Sequence, residues 1–97
     1  MDKNEINVLK SKFDKIAHYD ENIGIEFWYA RELQPALGYT KWSNFIKVID
    51  KAKDACEATT HSIYNHFADV GKMVSIGSNT QREVADIKLT RYACYLI

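Results

Sequence analysis

The stretch from Ala30 to Cys56, ARELQPALGYTKWSNFIKVIDKAKDAC, constrains this chain more than any other. It reads as a short helix, a glycine turn and a longer amphipathic helix. Pro35 cannot donate to residue 31, so the first helix is a compact two turns or is kinked near Gln34. Gly38 suits its end, because a residue without Cβ enters the left-handed cap conformation at no steric cost. Thr40 is placed to accept from the free N–H groups that open the next helix. Trp42, Phe45, Ile46, Ile49, Ala52 and Cys56 then recur at spacings of three and four, with Val48 at the margin. That is one apolar stripe at helical period. Lys41, Ser43, Asn44 and Lys47, followed by Asp50, Lys51 and Asp54, take the opposite face. A second helix whose exposed face opens with Lys, Ser and Asn has the sequence form of a helix-turn-helix. The alternative is an ordinary helical hairpin with a solvated face.

With 97 residues the chain suits one small domain with its own core. A hydrophobic fraction of 46%, four glycines and one proline exclude a disordered tail. No apolar run approaches the roughly 18 residues that cross a bilayer. The N-terminal MDKNEINVLKSKF lacks the apolar segment of a signal peptide, so the expected location is the cytoplasm, away from membranes. Formal net charge is zero, and residues 31–97 carry only a small basic excess, nine against seven. Local patches must therefore carry any electrostatic argument. Cys56 and Cys94 lie among apolar residues of predicted helices and read as buried thiols.

The remaining elements follow in order. Asn4 to Ala17 predicts a helix with Ile6, Leu9, Phe13 and Ile16 on one face and Asp2 or Asn4 as its cap. Tyr19 to Gly24 reads as a polar connector. IEFWY, residues 25–29, predicts a strand anchored by Trp28 or Tyr29. SIYNHF predicts a short helix, VGKMVSI and EVADIKL two strands, and GSNTQ a loop longer than a two-residue hairpin turn. Thr90 is expected to cap a last helix, TRYACYLI. The expected fold class is α+β, a small antiparallel sheet with flanking helices that include the helix-turn-helix-like hairpin. Residues 1–24 are expected to form an N-terminal helix and connector, and residues 25–97 the main domain. The last helix is apolar on more than one side and ends without a capping residue, so the chain reads as a piece of a longer protein. Exposed apolar surface there predicts a homodimer through the C-terminal helix.

The ordered blocks FWYARELQPALGY, KAKDAC, GKMVSIGSN and DIKLTRYACYLI resemble the BRO family N-terminal domain, found also in viral and phage antirepressor proteins. The resemblance covers residues 25–97 and implies an α+β domain. It further implies a bacterial module that binds DNA or regulates DNA transactions within the DNA-damage (SOS-type) response. No catalytic constellation comes with the family, and no residue-level DNA contact is carried by its motifs.

Candidate contacts therefore come from side-chain chemistry. Lys41, Lys47 and Lys51 can neutralise phosphates, and Asn44, beside Ser43, can pair with an adenine edge in a major groove. Lys72, Ser78, Asn79, Thr80, Gln81 and Arg82 form a second group, a polar loop tip that can act as a wing. The bland readings are a solvated helix face and a plain hairpin loop. Cys56, His61 and His66 lack the fourth ligand of a structural zinc site, so no metal or other cofactor is expected. No nucleophile, base or phosphate-cradling loop is visible, so the chain is not expected to be an enzyme. The expected partner is DNA, single- or double-stranded. The alternative is a protein-interaction module acting on recombination, repair or repressor proteins without touching DNA.

Overall fold

In the computed structural model, which describes residues 3–59 and 62–97 apart from the side chains of residues 5, 6 and 8–10, IEFWY forms the expected strand, β2 (Ile25–Tyr29). Side chains alternate across a strand, so Trp28 points to one face and Phe27 and Tyr29 to the other. Trp28 is fully buried. Strand β4 (Thr80–Leu89) lies antiparallel to β2 with Leu89 opposite Trp28. It also pairs with β3 (Phe67–Gly77), where Phe67 is opposite Leu89. A short β1 (His18–Asp20) completes an antiparallel sheet in the order β1-β2-β4-β3.

SIYNHF forms the expected short helix, α4 (Ile63–His66), and helices cover the Trp28 face. From α2 (Ala30–Ala36) comes Leu33, from α3 (Trp42–Ala58) come Phe45, Ile49, Ala52 and Cys56, and from α5 (Arg91–Leu96) comes Ala93. They form one core with Trp28, Phe67, Ile87 and Leu89. Helix α1 (Lys3–Lys15) adds Phe13, whose ring stacks on Trp28 at 4.3 Å, and the indole N–H donates to the Phe13 carbonyl at 3.0 Å. Phe13 thus joins α1 to the core. Of the predicted α1 face, the side chains of Ile6 and Leu9 lie outside the described residues, as does the candidate cap Asp2. The architecture is the α+β class predicted, an antiparallel sheet flanked by helices.

Four local features differ from expectation. The connector begins with β1, because residues 18–20 find backbone partners on β2, which a polar sequence this short does not advertise. Asp20 and Gly24, at φ +66, close the intervening turn. The β3–β4 hairpin is longer than predicted and turns tightly at Ser78–Asn79, with Asn79 left-handed at φ 60. A bulge between Ser75 and Gly77 takes up the extra length, so most of GSNTQ and Lys72 itself belong to strands. Thr40 does not cap α3. The cap residue is Lys41, and its side chain makes no capping hydrogen bond. Finally, Leu96 and Ile97 pack partly against the core, which leaves Tyr95 as the large exposed apolar side chain of α5.

The end of α2 follows the sequence closely. Gly38 adopts φ +85, its N–H donates to Pro35 O at 3.0 Å, and Tyr39 N–H donates to Gln34 O at 3.0 Å. This is a Schellman cap. The start of α2 has a cap that no local pattern announces. Asp86, buried on β4, accepts from the Arg31 backbone N–H at 3.0 Å and from Ile87 N–H at 2.8 Å. Arg31 Nε donates to Ala85 O at 2.7 Å, and its guanidinium lies 4.1 Å from the Trp42 ring. At α5, Thr90 is the expected cap and accepts from Ala93 N–H at 3.2 Å.

Arg91 forms a two-pronged pair with Glu26 and lies 5.2 Å from the Trp28 ring. The fork holds the Glu26 carboxyl below its ordinary value of 4.5. Neither cysteine is in a disulfide, and burial pushes the Cys94 thiol up to about 12.

Three outcomes follow for stability. Trp28→Ala should cost about 3–5 kcal/mol in urea unfolding, and the half-buried Trp42→Ala clearly less. The reverse order would mean that the core is centred elsewhere. Asp86→Ala leaves two backbone N–H groups without their acceptor and should cost about 1–3 kcal/mol, with Asp86→Asn recovering part of it. Glu26 ionises more easily in the fold than in the unfolded chain, so its contribution is whole above about 4.5 and is lost as pH falls through the lower folded value. The pair is about 40% exposed, so this effect is modest. Thermal melts carried from neutral into acid pH should fall less steeply for Glu26→Gln, and identical profiles would remove the pair from acid stability.

Candidate nucleic-acid interface

The buried stripe of α3 turns its opposite face fully to solvent. Lys41, Ser43, Asn44, Lys47 and Lys51 are all exposed, as the helical spacing requires. Asp50 and Asp54 are exposed too. Among the described residues, no acid lies within ion-pair distance of Lys41, Lys47 or Lys51. The positive end of the α3 dipole adds to these charges at Lys41, where the side chain supplies no cap. The first turns of α3 thus combine exposed cations and two neutral hydrogen-bonding side chains at an N-terminus without a side-chain cap.

The second group divides. Ser78 and Asn79 form the hairpin turn, with Thr80, Gln81 and Arg82 exposed beside it. Thr80 Oγ1 donates to Ser78 O at 3.4 Å, a weak bond that holds the tip. Lys72 lies midway along β3, opposite Val84. Its ammonium sits 5.0 Å from the Tyr29 ring, on the sheet face opposite the core. Because α3 packs on the core side, its exposed lysines and Lys72 look away from each other. The eight candidates Lys41, Ser43, Asn44, Lys47, Lys51, Lys72, Asn79 and Arg82 therefore make more than one surface.

Residues not singled out from sequence lie around Lys72. Lys88 places its ammonium 4.7 Å from the Phe27 ring, and His18 packs on both Phe27 and Tyr29. The signal was present in IEFWY: once Trp28 is inward, period two sends Phe27 and Tyr29 outward.

Cys56 and His66 do not meet. Cys56 Sγ lies 3.9 Å from Ser62 O, while His66 Nδ1 bonds Thr90 Oγ1 at 2.7 Å. His61 lies outside the described residues. No three potential metal ligands converge among the described residues. Nor is any described helix long and apolar enough to cross a membrane.

The BRO family N-terminal domain matches residues 15–97. The chain belongs to the BRO family. The chain is 47% identical over 92 residues, 95% of its length, to DNA damage-inducible protein D of Escherichia coli (strain K12). The chain spans about a third, 33%, of that relative's length. No solved structure matches it. The family match takes in β1, consistent with its pairing to β2.

Proposed function

We propose that this BRO domain is a DNA-contacting regulatory module of a DNA-damage response and acts by binding, not by catalysis. The observation that carries the reading is the exposed Lys41, Ser43, Asn44, Lys47 and Lys51 face at the start of α3, free of acidic partners among the described residues. Its lysines supply phosphate contacts, and Asn44 and Ser43 are the groups within reach of a base edge. The similarity to a protein named for its induction by DNA damage supplies the setting. A second reading, docking on recombination, repair or repressor proteins, is favoured by Met73 and Ile76, which stand 56% and 59% exposed on the hairpin.

Salt titration of binding to labelled duplex and single strands tests this. Each neutralised phosphate should contribute a slope near −0.9 for duplex and near −0.7 for a single strand. Joint replacement of Lys41, Lys47 and Lys51 by alanine should flatten the duplex slope and weaken binding. An unbound duplex and an unbound single strand at low salt would leave the protein-docking reading.

A further inference from the structure

β3 is the outer strand of the sheet, and its far edge is open. Over 11 residues, Phe67–Gly77, it pairs with β4 on one side, and among the described residues no strand lies on the other. Such an edge offers a row of backbone N–H and C=O groups to any extended chain. Proteins ordinarily blunt it with proline, charge, a bulge or a short strand. β3 is long and has no proline. Its bulge comes only at Ser75–Gly77, beside the turn. Its one lysine reaches away from the edge, because Lys72 crosses β4 to place its ammonium 5.0 Å from the Tyr29 ring on β2.

Exposed apolar side chains gather on the same strand. Met73 and Ile76 stand 56% and 59% exposed on β3, and Tyr64, on α4 just before it, 90%. β4, which lies between β3 and β2, exposes no large apolar side chain.

We infer that β3 is a self-association edge, to which a second copy of this chain adds its own β3 antiparallel and joins two four-stranded sheets into one. The occupant follows from length and symmetry. The other edge strand, β1, has three residues and cannot match a strand of 11, whereas β3 matches itself. Two like edges related by a two-fold axis close on themselves, and a β1–β3 contact between copies would not. An axis perpendicular to the sheet keeps the helix-bearing faces of both copies on one side. It therefore passes through one residue of β3, and side chains of the same face meet across it. An axis at Lys72 would oppose two lysines, and one at Gly71 would set Asp69 against the partner's Met73. At Met73 it lays the two thioethers together, sets Lys72 beside the partner's Val74 and brings Val70 towards the partner's Ile76. That register covers the exposed apolar side chains and opposes no like charges. Each Lys72 keeps its place over its own Tyr29, turned from the axis. This self-pairing does not depend on DNA contact.

The test is sedimentation equilibrium of the 97-residue chain from low micromolar to high micromolar concentration. Average mass should climb from one copy towards two. Met73→Lys sets like charges across the axis and should weaken the dimer by roughly 5- to 30-fold, with the thermal melt of the monomer little changed because the side chain is exposed. Ile76→Lys should weaken it as well, while Tyr95→Glu on α5 should leave it intact. Because residue 73 meets its own counterpart, Met73→Lys mixed with Met73→Glu should restore the doubled mass that each variant alone has lost. Should Met73→Glu fail to fold beside Glu83, the two lysine variants still decide the contact. A constant single-copy mass at high micromolar concentration would overturn the proposal and leave Met73 and Ile76 to the protein-docking reading. A dimer that survives both lysine variants and is lost in Tyr95→Glu would overturn it in favour of the C-terminal helix.

Discussion

The inward turn of Trp28 is the constraint on which the rest of the domain depends. Its ring is covered by Phe13 and Arg91, its N–H is satisfied by the Phe13 carbonyl, and its backbone pairs with Leu89. A strand has period two, so this one side chain settles the direction of every neighbour in β2. A slip of one residue would bury Phe27 and Tyr29 and expose the indole. The domain is two-sided for that reason, with helices on one face of the sheet and an aromatic, basic surface on the other.

Where β2 ends, β4 continues, and its open edge at Ala85–Ile87 has to be occupied. The first turn of α2 fills that place. Arg31 donates through Nε to Ala85 O and through its backbone N–H, otherwise free at the helix start, to Asp86 Oδ1. A buried carboxylate is costly unless hydrogen-bonded. Here one oxygen takes two backbone donors, while Oδ2 has none among the described residues. The hairpin of α2 and α3 is thereby tied to the sheet at its beginning, and Gly38 ends α2 at its turn. Arg31 bridges the two ends by lying on Trp42.

This arrangement separates the two basic surfaces. The α3 face offers long, flexible cations and amide or hydroxyl groups, chemistry suited to a backbone and a base edge. The open sheet face offers the Phe27, Tyr29 and His18 rings in mutual contact, with Lys72 and Lys88 beside them. Glu26 pairs with Arg91, Glu32 lies on His18 and Asp86 caps α2, while Asp50 and Asp54 stay exposed beside the α3 lysines.

Elements set by local pattern are legible in the amino-acid sequence by itself. The stripe from Trp42 to Cys56, the left-handed Gly38, the strand at residues 25–29 and the Thr90 cap depend on neighbours within a turn or a strand. So does the exposure of Lys41, Ser43, Asn44, Lys47 and Lys51, which follows from helical period alone. What tertiary structure decided is what depends on partners distant in sequence. β1 exists through β2, the cap of α2 comes from a residue 55 positions away, and the short hairpin turn depends on a bulge in register with β4. The gathering of His18, Phe27, Tyr29, Lys72 and Lys88 on one face belongs to the same class. Strands brought side by side by pairing made that surface, and no spacing along the chain encodes which strands will be neighbours.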